Sequence, residues 1–532
     1  MTVFTGPRYA TPDYPATFWQ LVDRAAGERG DDVVLADDHG RTLTAGQLRR
    51  EAERAAAGLH AAGIGPGSRV SWQLPTTLEA MVVKVALARL GTVQNPIIPI
   101  LRDREVTFIT GQLGTEYLLV PETWQGFDHG ALARRLAADQ GLSVVVCDHD
   151  TDPSSLGGAL RLPVGDPAAL PPAPAPVPDA GVDDVRWIYF SSGTTAEPKG
   201  IRHTDGSVMA SASGVVGQLG ARAGDINPLA FPITHIGGAT MLTASLLTGM
   251  RLVLFDRFDP ATTGERVAAH DVTFLGSAVP FYAVFMAAQQ RHGDAPLYPH
   301  LRACVGGGAP VPAEFQASVR SVLGGNGIAN AWGLTEFPVA ASPTPDDPPE
   351  WLDHTVGRPV PGVEVRVVDA DGKELGVGDE GELRLRGPQC CQGYVDATLD
   401  AEAFDDDRWF RTGDLGLIDH DGNVRITGRI KDLIIRNAEN ISALEVEDAI
   451  LRHPDVADAA VIGVPDARTG ERVCAVIVPA PTAELDLATL IDHCSALGLP
   501  RHKVPERLEL VGQLPRNSMG KLQKAALRTQ FG

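Results

Sequence analysis

Between Ser191 and Gly200 the chain reads Ser-Ser-Gly-Thr-Thr-Ala-Glu-Pro-Lys-Gly, which places four hydroxyls, a flexible glycine and Lys199 within ten residues. Such a loop can wrap a polyphosphate, because hydroxyls and backbone N–H groups donate to its oxygens while the lysine supplies positive charge. It is not a Walker A loop: Pro198 stands where G-x-x-x-x-G-K requires its second glycine, and Gly200 follows the lysine in place of Ser or Thr. A second lysine, Lys521, sits late in the chain and forms S-x-x-K with Ser518. The S-D-N and K-T-G companions of a serine acyl-enzyme do not follow it, so that chemistry is set aside. The six cysteines, Cys147, Cys304, Cys390, Cys391, Cys474 and Cys494, contain no C-x-x-C pair and are expected to be buried, inert thiols of a reducing compartment.

The elements around these residues follow from apolar periodicity. Trp187 to Phe190 predicts a buried strand that delivers the Ser191 loop at its C-terminal end, where open α/β sheets bind ligands. Before it, strands at Val33 to Ala36 and Arg69 to Gln73 alternate with helices at Ala45 to Leu59 and Leu78 to Leu90. The Pro- and Ala-rich stretch from 152 to 183 predicts an extended, solvated surface connection. Strands at Val363 to Val368 and Glu382 to Arg386, and a hairpin turning through Asp421-Gly422-Asn423, define a β-rich subdomain. A helix at Ala443 to Leu451 and strands at Ala460 to Val464 and Val473 to Val478 follow. The expected fold is therefore a large α/β N-terminal domain, residues 1–428, with parallel-rich sheets, helices and a β-rich subdomain, and a smaller mobile α+β C-terminal domain, residues 429–532.

A chain of 532 residues is too long for one core, which agrees with that division. Its 46 basic and 67 acidic residues give a net charge of −21, a field that repels nucleic acid and anionic lipid. Neither a secretory leader nor an apolar run of about 18 residues is present, so a cytoplasmic protein without a membrane span is expected.

Taken in order, Tyr189–Gly200, Phe231–Gly238, Val305–Val311, Asn330–Glu336, Trp409–Leu415, Gly428–Glu445 and the terminal block around Lys521 resemble the seven signature blocks of the adenylate-forming enzymes, the superfamily of acyl-CoA synthetases, adenylation domains and luciferases. The resemblance spans nearly the whole chain. It implies that a carboxylate attacks the α-phosphate of ATP to give an acyl-adenylate and pyrophosphate, with Mg²⁺ as cofactor and CoA as the second substrate. It implies ATP contacts from Ser191, Ser192, Gly193, Thr194, Thr195, Gly308, Ala309, Pro310, Asn330, Ala331, Trp332, Gly333, Asp414, Ile426 and Arg429. Within that set Trp332 offers a plane for adenine, and Asp414 with Arg429 takes the ribose diol. Lys199, Thr335, Glu336 and Lys521 are the implied catalytic residues, Glu336 as the Mg²⁺ ligand and Lys521 as the cation facing the charge that builds during adenylation. The family more often carries Tyr at the Trp332 position.

His235, Ile236, Gly237 and Gly307 are the implied acyl-pocket residues, with more wall from Phe274 to Tyr282. His235 has an alternative as a satisfied structural histidine. The segments are apolar and glycine-rich and supply no Asp for an α-ammonium, so an aliphatic, alicyclic or aromatic acid is expected over an amino acid. Gln94 to Pro99 looks like the same stretch of cyclohexanecarboxylate and medium-chain acyl-CoA ligases. The acceptor tunnel is implied at Ala438, Glu439 and Asn440, and the hinge at Lys431. Ala438 departs from the family's glycine, and an added methyl there narrows the pantetheine route. Two outcomes therefore stand for the acyl group: transfer to CoA, or transfer to an amine by an amide ligase. A nucleotide-sensing protein without catalysis is disfavoured by the intact Lys199, Glu336 and Lys521. A monomer or homodimer is expected.

Overall fold

The computed structural model describes residues 3–6, 11–148, 160–175, 184–191, 197–437, 439–516 and 522–532. A six-stranded sheet carries, in order, Lys199–Thr204, Val185–Ser191, Val93–Pro96, Arg69–Trp72, Tyr117–Val120 and Ser143–Val146. All of its neighbours run parallel except Lys199–Thr204, which returns antiparallel and pairs Lys199 with Ser191. The helix Leu78–Leu90 is buried nearly all round, with apolar residues outnumbering Glu79, Lys84 and Arg89; Thr77 caps it by accepting from Ala80 N–H.

In a second sheet Val33–Asp37, Arg251–Leu254 and Ile226–Leu229 run parallel, with Thr42–Thr44 on the edge. Thr273 N–H donates to the Ile226 carbonyl at 2.9 Å. This joins the sheet to a third set of parallel strands, Phe274–Leu275, Ala303–Gly307 and Ile328–Ala331. The last pairs of that set, Gly306 with Asn330 and Gly307 with Ala331, lie at its C-terminal edge. A five-stranded antiparallel sheet then includes Glu364–Val368, Gly381–Arg386, Phe410–Ile418 and Val424–Arg429. The expected hairpin closes it, since Asp419 accepts from the N–H groups of Asp421 and Asn423 and pairs Ile418 with Val424 across the turn.

Five later strands, Leu433–Arg436, Glu439–Ser442, Val456–Asp466, Gly470–Pro479 and Arg507–Leu510, form a separate sheet backed by the helix Ala443–Leu451. Its two apolar clusters draw only on residues from Ile434 onward, whereas the clusters of the larger part end at Ile426. The chain thus has a large and a small part, as expected. The 152–183 connection is less solvated than expected where it is described. Leu160, Leu162 and Leu170 pack on the main core, and the Pro171 carbonyl accepts from Arg89. Leucines spaced through a Pro/Ala-rich run are what the composition obscured.

Inside the main core lies an unforeseen charge. Lys84 is wholly buried, donates to Tyr189 Oη at 3.3 Å, and holds its ammonium 5.8, 4.6 and 5.9 Å from the ring centroids of Trp72, Trp187 and Tyr189. Burial pulls its pKa down to about 7. Between that value and roughly 10.4, the value for an exposed lysine, the unfolded chain binds a proton that the folded chain does not. Stability therefore rises with pH across this window, and below about 7 the whole cost of burial is felt. Lys84→Met should raise the melting temperature by about 2–4 °C below pH 7, and the gain should shrink as the pH approaches 10. Thermal melts of both proteins from pH 6 to 10 check this; a pH-independent difference would show that Lys84 does not titrate in that range.

Candidate active site

The C-terminal edge of the parallel strands is where the sequence motifs converge. Asn330, next to the end of its strand, is 7% exposed and donates from Nδ2 to the Ala309 carbonyl at 3.0 Å. This ties the Ile328–Ala331 strand to the loop after Ala303–Gly307. Gly308 opens that loop at φ +87°, a conformation that favours glycine. Asn330 Oδ1 is buried and has no hydrogen-bond donor among the described residues. An orphaned buried acceptor beside a glycine-rich edge fits an exocyclic amine of a flat base. Gly333 follows Trp332 where a Cβ would meet Val339 N at 2.4 Å, so the turn that swings the chain back has no room for a side chain.

Trp332 is buried in the cluster of the antiparallel sheet, where Ile426 also packs. Its indole N–H donates to Asp414 Oδ2 at 2.8 Å, across 82 residues of sequence. Asp414, 3% exposed, offers Oδ1 to Arg429 Nε at 2.9 Å, its cross-strand partner in the hairpin. Each oxygen thus has one donor and keeps a further lone pair for a ligand, which suits a vicinal diol.

Glu336 forms the second knot. Its Oε1 accepts from Tyr394 Oη at 2.8 Å, and its carbonyl accepts from Cys391 N–H at 2.8 Å. Lys199 Nζ stands 5.6 Å from the centroid of the Tyr394 ring. Burial, and next the Glu336 charge, raise the Tyr394 hydroxyl above its ordinary value, so it remains a donor to the carboxylate. Tyr394 is held in turn by its N–H to Asp400 at 2.8 Å and by Val395 N–H to the Gly200 carbonyl at 2.7 Å. The carbonyl of Thr335 faces His203 Nε2 at 2.8 Å. Burial lowers the pKa of His203 to about 4, so the ring is neutral and donates there through Nε2. Tyr394 and His203 were missed from the sequence, because neither stands in a chemical motif and their partners lie 58 and 132 residues away.

Ser191 pairs with Lys199 at the mouth of the loop; Ser192, Gly193, Thr194 and Thr195 lie outside the described residues, as do Ala438 and Lys521. Pro310 continues the Gly308 loop on the surface. Gly307 pairs with Ala331, and its N–H donates to the Ser277 carbonyl. His235 caps the helix Ile236–Thr248, with Nδ1 accepting from Gly237 N–H at 3.1 Å, so one ring nitrogen has the structural role that was its alternative. Ile236 belongs to the main core and not to the Trp332 cluster. The expected pocket wall from Phe274 to Tyr282 is corrected at both ends. Phe274 and Tyr282 are core residues, the latter donating to the Leu275 and Val305 carbonyls, because the strand and helix they belong to face inward there.

Lys431 lies in the single turn Ile430–Asp432 between the two parts. Glu439 and Asn440 begin the second strand of the hairpin that follows, and Asn437 takes the left-handed φ of +50° at its turn. The described cysteines are buried apart from the half-buried Cys390, and none is in a disulfide. Burial pushes the thiols of Cys147 and Cys304 up to about 12, which suits inert side chains.

Residues 22–395 match the AMP-binding enzyme family, and residues 445–521 match the AMP-binding enzyme C-terminal domain. The chain belongs to the AMP-binding enzyme family. It is 32% identical over 518 residues to the medium-chain fatty-acid–CoA ligase of Escherichia coli (strain K12), covering 96% of this chain and 89% of that one. Among solved structures, ATP-bound MatB from Rhodopseudomonas palustris has a TM-score of 0.84 at 28% identity, covering 96% of this chain and 99% of that one. The amide bond synthetase McbA from Marinactinospora thermotolerans also has a TM-score of 0.84 at 28% identity, covering 97% and 100%.

If Asp414 holds the ribose, Asp414→Ala removes a charged acceptor worth about 1.5–3 kcal/mol. The KM for ATP should rise about tenfold or more with a smaller change in kcat, and an unchanged ATP KM would place the ribose elsewhere.

Proposed function

We propose that this protein activates an aliphatic, alicyclic or aromatic carboxylic acid with ATP and transfers the acyl group to CoA. The observation that carries the proposal is the clamp of Asp414 between Trp332 and Arg429, a buried carboxylate left with acceptor capacity beside the Asn330 edge. Adenine lies at that edge against Trp332 and the Gly308–Pro310 loop, with its ribose on Asp414. The hydroxyl loop beginning at Ser191 and Lys199 receive the phosphates.

In the first step a carboxylate oxygen of the acid bonds to the α-phosphorus while the bond to the β-phosphate bridging oxygen breaks, and pyrophosphate leaves. Lys521 faces the charge that builds on the α-phosphate and carboxylate oxygens, and Thr335 donates its hydroxyl to the α-phosphate. Glu336, oriented by Tyr394, is the hard oxygen ligand that would hold Mg²⁺. When bound, that ion neutralises phosphate charge. In the second step the CoA sulfur bonds to the acyl carbon and AMP leaves. His235, Ile236, Gly237 and Gly307 border the acyl group.

A boundary at 428/429 with rotation about Lys431 presents Lys521 in the first step and the Ala438–Asn440 hairpin in the second. A second reading, transfer to an amine, is favoured by Ala438 in the tunnel position and by the similarity to the amide bond synthetase.

Pyrophosphate release with a panel of acids, run with CoA and then with amines, tests the reaction and its acceptor: turnover with neither acceptor overturns both readings. Lys521→Ala should lower acid-dependent ATP–pyrophosphate exchange by about 10²-fold or more, and exchange near the parent rate would remove Lys521 from that role. Lys431→Pro fixes φ at the turn and should slow acyl transfer while leaving adenylation nearly intact; single-turnover measurement that slows both steps equally, or neither, would move the hinge elsewhere.

A further inference from the structure

Three groups with metal-binding chemistry meet beyond the C-terminal ends of two neighbouring parallel strands, Val33–Asp37 and Arg251–Leu254. The strands pair through Asp37 and Leu254, and Asp38 N–H donates to the Leu254 carbonyl at 3.2 Å. Asp38-His39 and Phe255-Asp256 therefore leave the sheet side by side. One ligand atom from each of Asp38, His39 and Asp256 lies within 4.8 Å of the other two. The side chains of Asp38 and Asp256 are only 3% and 8% exposed.

Each of the three residues also carries an atom without a hydrogen-bond partner among the described residues. Asp38 Oδ1, His39 Nε2 and Asp256 Oδ2 are buried, and none has a hydrogen-bond partner among the described residues. The approach of His39 Nε2 to Asp38 Oδ1 is 3.5 Å, too long for a strong hydrogen bond. Unpartnered carboxylate oxygens and an imidazole nitrogen buried in one cluster are costly unless an electropositive group meets them. Metal–ligand bonds of roughly 2.0–2.2 Å place tetrahedral ligand atoms roughly 3.4 Å apart, close to the separation of His39 Nε2 and Asp38 Oδ1.

We propose that Asp38, His39 and Asp256 form a binding site for a first-row divalent cation of the Zn²⁺ kind, separate from the nucleotide site. An imidazole beside two carboxylates suits such an ion better than Mg²⁺ or Ca²⁺, which take oxygen ligands. The other oxygen of Asp38 is held by Arg266, which orients the carboxylate from behind. Arg257 Nε, 3.6 Å from Asp256 Oδ2, belongs to a side chain 55% exposed and can turn to water when the cation takes that oxygen. Arg41 is engaged by Asp37 and Glu79. The bound ion ties the turn after Val33–Asp37 to the strand end at Leu254.

Equilibrium dialysis of the full chain against Zn²⁺, without nucleotide and with millimolar Mg²⁺ present, reads the site directly. One equivalent should bind to the parent protein. His39→Ala and Asp256→Asn should each weaken that equivalent at least tenfold while acid-dependent ATP–pyrophosphate exchange with Mg²⁺ stays unchanged. His39→Gln, at a half-exposed turn position, repeats the test with a side chain that keeps its size. Zn²⁺ binding undiminished in the three variants, or no Zn²⁺ bound by the parent protein up to about 1 mM, would overturn the proposal.

Discussion

A carboxylate taken out of water must be met by donors, and at Asp414 those donors come from distant parts of the chain. The Trp332 indole reaches it from the edge of the parallel strands, and the Arg429 guanidinium reaches it from the opposite strand of the hairpin. An unmatched buried carboxylate would be several kcal/mol too costly. Asp414 therefore links the edge of the parallel strands to the antiparallel sheet, alongside the backbone ladder and the apolar cluster that Trp332 shares with that sheet. The Asn330 acceptor and the Gly308 loop are tied to the same edge by Asn330 Nδ2, which donates to the Ala309 carbonyl.

Electrostatics set the second condition. A chain of net charge −21 offers ATP an unfavourable far field, so positive charge has to be delivered locally. The Tyr394 arrangement does this. Its hydroxyl occupies one oxygen of Glu336, while its ring face lies toward Lys199. One phenol thereby contacts both the lysine and the glutamate. The antiparallel return of Lys199–Thr204 on Val185–Ser191 fixes where that lysine starts.

How much of this was legible in the sequence depended on the span of each contact. The hairpin at Asp419–Asn423 and the helix Ala443–Leu451, capped by Ser442, rest on residues within a few positions of one another, and local chemistry was enough to find them. The strand before the Ser191 loop was equally plain, as an apolar run ending in hydroxyls. Asp414, Trp332 and Glu336 were singled out through the family blocks, whose order compensates for their separation. Tyr394, His203, Lys84 and the Asp38–His39–Asp256 cluster have neither help: each depends on partners far along the chain, and a lone Tyr, His or Lys in an apolar stretch carries no sign of what folding will bring beside it. Phe274 and Tyr282 failed in the opposite sense, since an apolar run can face a pocket or the core, and periodicity does not tell them apart.

The distribution of contacts around the Ile430–Asp432 turn bears on how the small part could rotate. Its apolar clusters share no residue with those of the large part, so rotation exposes no common core. Contacts that cross the turn include Ser442 Oγ to the Thr427 carbonyl at 2.6 Å and Arg452 to Glu314 at 3.2 Å, the latter between side chains 45% and 51% exposed. Such a surface pair contributes about 0–1 kcal/mol. By contrast Arg528 to Asp432, Lys524 to Glu447 and Arg436 to Glu506 bind the small part to itself and to the end of the turn. The rotation proposed at Lys431 would, among these contacts, break Ser442–Thr427 and Arg452–Glu314 and keep those within the small part.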